Sequence, residues 1–211
     1  MKEILAFTGI WVVLTVAMLV HELGHALVAG ALGEKVEEIS LGLPRLFTFK
    51  LFGIPVRVGL LPLIGGTKLD SLLKMRWLKK AVIALSGPVF NFAFALCCYY
   101  AVGGFDQIAS LAEDQFLVIP TVKSFFGNES LPTPGLTALF ASMTPKNVIF
   151  AIGDINLLLA ILNMLPIPVL DGGRILFAFL EGVFGKVVNN IQAILIPISF
   201  ILLILWQVLI K

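Results

Sequence analysis

Residues 4–25 read ILAFTGIWVVLTVAMLVHELGH: seventeen uncharged residues, Ile4 to Val20, run straight into His21-Glu22-Leu23-Gly24-His25. A helix needs roughly 20 apolar residues to cross the hydrocarbon core of a bilayer, so this stretch reads as a span that continues through the polar cluster to about Leu32, before Gly33. Ala29-Gly30-Ala31 has the A-x-A form of a signal-peptide cleavage site, but the apolar run is longer than a usual signal core. A retained span is therefore expected.

Working outward, Ala81 to Phe105 and Val187 to Ile210 are also free of charge, and Asn147 to Leu170 is broken only by Asp154. The expected fold is an α-helical polytopic membrane protein of about four transmembrane helices, near 4–32, 81–105, 147–170 and 187–210, forming one domain over 1–211. Composition agrees: 13% of the 211 residues are charged and 59% are hydrophobic, against about 25% charge in soluble domains. A soluble enzyme and a disordered chain are both excluded. The near-balance of 15 basic and 13 acidic residues does not point to nucleic acid.

Where the charges lie sets the expected topology. Nine basic residues fall between Gly33 and Lys80 (Lys35, Arg45, Lys50, Arg57, Lys68, Lys74, Arg76, Lys79 and Lys80), and Arg174 and Lys186 lie in a short loop, 171–186, expected after the third window. By the positive-inside rule these segments face the cytoplasm, leaving both termini and an external loop, 106–146, outside. That loop, with four prolines, reads as short interfacial helices and turns, and its Asn128-Glu129-Ser130 sequon carries little weight.

Between spans one and two, Phe47 to Leu51 and Pro55 to Leu60 alternate in side-chain type around Gly53. This predicts a β-hairpin within 36–66. Its Leu60-to-Gly66 run is too apolar for an ordinary loop, so the hairpin is expected to dip toward the membrane, where its backbone must be covered by protein or line a wet cavity. Residues 67–80 read as a basic interfacial helix suited to anionic lipid headgroups. The only cysteines, adjacent Cys97 and Cys98, read as small apolar residues and not as a disulfide or metal knuckle.

The chemistry concentrates in His21-Glu22-Leu23-Gly24-His25. Spacing of i, i+4 puts both imidazoles on one helix face, about 5–6 Å apart at Cβ, within reach of a single Zn²⁺. Glu22, one residue on, can reach a metal-bound water without itself being a ligand. Two core histidines with ordinary partners are the plainer alternative, yet three ionisable groups inside a span are expensive unless they serve a site. A catalytic zinc needs a third protein ligand. The candidates are Glu34, Glu37, Glu38, Asp70, Asp154 and Asp171, and topology favours Asp171, at the inner end of span three and at the depth of the histidines.

With these pieces in place the chain resembles the site-2 proteases, the intramembrane zinc metalloproteases. The resemblance rests on HELGH at 21–25, on Leu170-Asp171-Gly172 within NMLPIPVLDGG at 163–173, and on Ser86-Gly87-Pro88-Val89-Phe90-Asn91, in matching order. It implies one zinc ion held by His21, His25 and Asp171, with Glu22 as the base. It implies that Asn163 and the Gly87-Pro88-Asn91 segment line the substrate path, and that the hairpin pairs with an unwound substrate. The implied activity is hydrolysis of peptide bonds in transmembrane segments of single-span proteins, such as an anti-sigma factor or a signal-peptide remnant. The implied location is the bacterial inner membrane, with the site near the cytoplasmic face. The 41-residue external loop is too short for the PDZ domain that relatives often insert. A membrane metal-ion carrier using the same His/Asp cluster is the alternative, and a non-catalytic scaffold a more distant one.

Overall fold

The computed structural model describes residues 2–71, 74–109 and 144–209. The order of elements is α1 (Lys2–Ala31), β1 (Val36–Leu51), β2 (Ile54–Leu69), α2 (Trp77–Ala109), α3 (Pro145–Asn163), α4 (Asp171–Phe184) and α5 (Val187–Leu209). The architecture is mostly helical, with one small antiparallel sheet after the first helix.

Helix α1 is the opening apolar stretch, and it stops where glycine permits a left-handed turn. Gly33 has φ 78°, its N–H donates to Gly30 O (3.0 Å), and Glu34 N–H donates to Ala29 O (2.9 Å). This Schellman arrangement satisfies the last helical carbonyls. Lys79 Nζ then donates to Leu32 O (3.0 Å) and to Glu34 Oε1 (2.7 Å), tying the end of α1 to the start of α2.

The hairpin is longer than its alternating segments predict, with strands of 16 residues each. Phe52 and Gly53, both at positive φ, form the two-residue turn that suits the twist of paired strands. Both strands bend, so Ile39, Ser40 and Leu41 are paired on two sides: with Thr67, Gly66 and Gly65 on one, and with Val56, Arg57 and Val58 on the other. One face packs Ile39, Leu41, Val56 and Val58 onto Met18 and Ala26 of α1. The far end leaves Leu46, Phe47, Phe49 and, at the turn, Phe52 exposed.

Three expectations are corrected. Among the described residues of 67–80 there is no separate interfacial helix: residues 67–69 end β2, and Trp77 opens α2, four residues before the predicted span. Lys79 and Lys80 are engaged by Glu34 and Glu181, so they are not free to face headgroups. The 147–170 window is not one helix: α3 ends at Asn163 because Pro166 and Pro168 deprive the next turn of donors and disfavour helical backbone before them. Residues 171–186, expected as a loop, hold the 14-residue helix α4. Of the predicted external loop, 106–109 belong to α2 and 145–146 to α3; residues 110–143, with the sequon and most of the loop's prolines, lie outside the described residues.

Among the described residues two helical stretches, Thr8–Ala31 and Trp77–Gly104, are long and apolar enough to cross a bilayer, while Val148–Asn163 and Val187–Leu202 are shorter apolar helices. Helix α2 carries Pro88 in its interior and a kink at Gly104. It packs on α3 through Ala95 and Tyr99 against Phe150 and Leu157.

Candidate metal centre

Three buried side chains from two helices far apart in sequence converge: His21 and His25 of α1 and Asp171, the first residue of α4. His21 Nε2 lies 2.9 Å from Asp171 Oδ2, His25 Nε2 lies 3.2 Å from the same oxygen, and the two Nε2 atoms are 3.1 Å apart. Zinc bound tetrahedrally at about 2.0–2.1 Å sets neighbouring ligand atoms roughly 3.3 Å apart, so the triangle has nearly the required edges.

The protonation pattern favours a cation at its centre. His25 Nδ1 is 2.7 Å from Ile83 O, and a carbonyl only accepts, so Nδ1 carries the proton and Nε2 presents a lone pair. Asp171 Oδ2 faces the two imidazole nitrogens and has no other polar partner among the described residues. Acceptors gathered at 3 Å in a buried space repel one another unless a positive charge joins them. The outer shell is built accordingly. Arg174 Nη1 donates to Asp171 Oδ1 (3.3 Å), turning Oδ2 toward the imidazoles as ligating carboxylates require. The carboxylate also sits in the first turn of α4, where the helix dipole favours negative charge.

Helix α2 forms the wall. A Cβ at Gly87 would come within 2.5 Å of His25 Cε1 and Nε2 and 2.8 Å of His21 Cε1. Only a residue without a side chain lets the imidazoles lie against α2 here. Pro88 and Asn91 beside it are buried, and neither side-chain atom of Asn91 has a partner among the described residues. Asn163 closes α3, with Nδ2 donating to Leu159 O (3.0 Å). Gly87 therefore touches the metal centre directly, while the Asn163 amide bonds back into its own helix.

Glu22 is buried beside the histidines and is met from the sheet: Thr67 Oγ1 donates to Glu22 Oε2 at 2.7 Å. The rival carboxylates have other partners. Asp154 accepts from Tyr99 OH (2.7 Å) between α2 and α3. Glu37 pairs with Lys68 (2.8 Å) and Glu38 with Arg57. Hydrogen bonds from Lys79 and Ser71 hold Glu34 below the ordinary carboxylate range, and the Lys68 bond does the same to Glu37. Asp70 is exposed.

Sequence reasoning overlooked Thr67, Gly65, Arg174 and the Ile83 carbonyl. Only Arg174, three residues after Asp171 on one helix face, leaves a spacing that could have been read. A cavity of about 290 Å³ reaches His25 and is lined by Gly66, Thr67 and Leu69 of β2, Lys80 of α2, and Arg174 and Glu181 of α4.

Comparison with known proteins adds the following. The model of a family described as peptidase family M50 matches residues 9–206. A Helicobacter pylori protein provisionally described as a zinc metalloprotease is 38% identical over 103 residues, covering 40% of this chain and 30% of the relative. A Vibrio cholerae protein of the same description is 28% identical over 167 residues, covering 71% of this chain and 33% of the relative. The regulator of sigma-W protease RasP of Bacillus subtilis is 44% identical over 50 residues, covering 22% of this chain and 12% of the relative. The matches thus span a third or less of the length of these relatives.

Proposed function

Because the chain belongs to peptidase family M50, whose model matches residues 9–206, we propose that it is a site-2 protease, a zinc metalloendopeptidase hydrolysing peptide bonds in transmembrane segments. The observation that carries this reading is the convergence of His21 Nε2, His25 Nε2 and Asp171 Oδ2 at 2.9–3.2 Å, with the Glu22 carboxylate buried beside them. Family membership lends no support to the metal-carrier alternative.

His21, His25 and Asp171 would hold one zinc ion, and Arg174 would keep the carboxylate oriented. When bound, the ion polarises the scissile carbonyl and lowers the pKa of water toward about 7. Glu22 takes the proton of the attacking water and returns it to the leaving amine. A helical substrate buries its carbonyls in internal hydrogen bonds and must unwind before attack. The cavity along Gly66, Thr67 and Leu69 offers a strand edge on which an extended segment could pair, with the Asn163 amide and the Gly87-Pro88-Asn91 segment lining its path.

The substrate class is a single-span membrane protein, such as an anti-sigma factor or a residual signal peptide; the name of the Bacillus subtilis relative, a sigma-W regulator, supports the former. The chain is placed as one domain in a bacterial inner membrane, crossing it four times with both termini outside. Helix α3, of 19 residues, rises roughly 28 Å at 1.5 Å per residue, close to the ~30 Å core. The exposed Phe47, Phe49 and Phe52 end of the hairpin dips into the cytoplasmic leaflet.

Reconstituted protein with a single-span substrate tests the assignment. Glu22→Gln is expected to abolish cleavage while retaining zinc, and Asp171→Ala to lose zinc. Full cleavage by Glu22→Gln, or unchanged zinc content in Asp171→Ala, would overturn the respective role.

A further inference from the structure

Metal ligands and base lie side by side on α1, yet different elements steady them. The histidines are braced by α2, through Ile83 O and Gly87. Among the described residues, the hydrogen bond to the Glu22 carboxylate comes from β2. Thr67 Oγ1 stands 2.7 Å from Glu22 Oε2 and 3.1 Å from Glu22 O. A hydroxyl has one proton, and the shorter, charge-assisted contact to the carboxylate takes it. The other oxygen, Oε1, points at Gly65, where a Cβ would stand 2.6 Å away.

We propose that Thr67 is a positioning residue for Glu22: its hydroxyl fixes Oε2 while the bare Cα of Gly65 makes room for Oε1, so the carboxylate is aimed before a peptide arrives. This rests on the protease reading of the centre. A glutamate side chain has three rotatable bonds, and one anchored at a single oxygen keeps the other free to take a proton. The anchor comes from the strand that also lines the cavity beside His25. Seating of the base is therefore tied to the sheet, and zinc affinity is not.

The test compares wild type with Thr67→Val, which keeps the shape and removes the hydroxyl, and with Thr67→Ser, which keeps the hydroxyl. The probe is a single-span peptide with an apolar segment of about 20 residues interrupted by Asn and Gly. Thr67→Val is expected to lower kcat by roughly ten- to a hundredfold, as loss of outer-shell partners does. KM and zinc content stay at wild-type values, and Thr67→Ser restores most of kcat. A Thr67→Val kcat within twofold of wild type, or a Thr67→Ser variant as impaired as Thr67→Val, overturns the proposal. If wild type itself cleaves nothing, the protease reading fails while crystal structures of the zinc-loaded proteins still decide the contact. A single Glu22 rotamer turned to Thr67 in wild type and displaced in Thr67→Val supports it; the same rotamer in both overturns it.

Discussion

At the scale of single residues the centre depends on one missing side chain. Gly87 sits where a methyl group would overlap both imidazoles, and neither ring can retreat, since His25 is bonded to Ile83 O and both face Asp171. Gly87→Ala is expected to lower bound zinc well below one ion per chain while α1 and α2 remain folded; metal analysis beside circular dichroism checks this, and full zinc occupancy would contradict it. The i, i+4 histidines are legible in sequence because a helix turns spacing into proximity. Thr67 is not, because a lone threonine in a strand acquires meaning only when the sheet folds against α1, 45 residues away in sequence.

At the scale of elements, Asp171 is delivered by α4, and α4 is fastened to α2 by a nearly buried ion pair: Lys80 Nζ lies 2.6 Å from Glu181 Oε2, with side chains 12% and 6% exposed, and also donates to Asn189 Oδ1 of α5 (3.3 Å). Removing one member strands the other, at a cost of about 3–5 kcal/mol, whereas replacing both with apolar residues of similar volume is far less costly. Lys80→Met and Glu181→Leu are each expected to lower the melting temperature of detergent-solubilised protein, and the double variant to recover most of the loss; additive losses would refute the coupling. Helix α4 is the element that sequence hides. Asp171-Gly172-Gly173 has the composition of a turn, and glycine disfavours helix by about 1 kcal/mol per residue. Here Cβ atoms at either glycine would strike the carbonyls of Met164, Leu165 or Ile167, so tertiary contact with the 164–168 segment overrides local preference. The hairpin, by contrast, declares itself by alternation, and only its extension to Leu69 is missed.

At the scale of the whole molecule, the polar groups of the centre come from the end of α1 and the start of α4, on the side of the molecule that carries Lys74, Arg76 and Arg174. The proposed orientation puts that side in the cytoplasm. In a Cys97→Ala, Cys98→Ala background, Lys74→Cys is expected to react with an impermeant maleimide only in inside-out vesicles and Lys146→Cys only in right-side-out cells; labelling of both from one side would overturn the four-crossing topology. Composition reveals the membrane because charge scarcity is a property of the whole chain. The number of crossings is harder to read, because two of the four helices fall short of a full span in apolar length. The distance along the chain between the halves of the centre also bears on when activity begins. His25 leaves the ribosome 146 residues ahead of Asp171, about 7 to 30 s at roughly 5–20 residues per second. Until Asp171 emerges, the chain carries the two nitrogen donors without the carboxylate that the fold brings to them. On the protease reading, the centre is therefore complete only once α4 has docked.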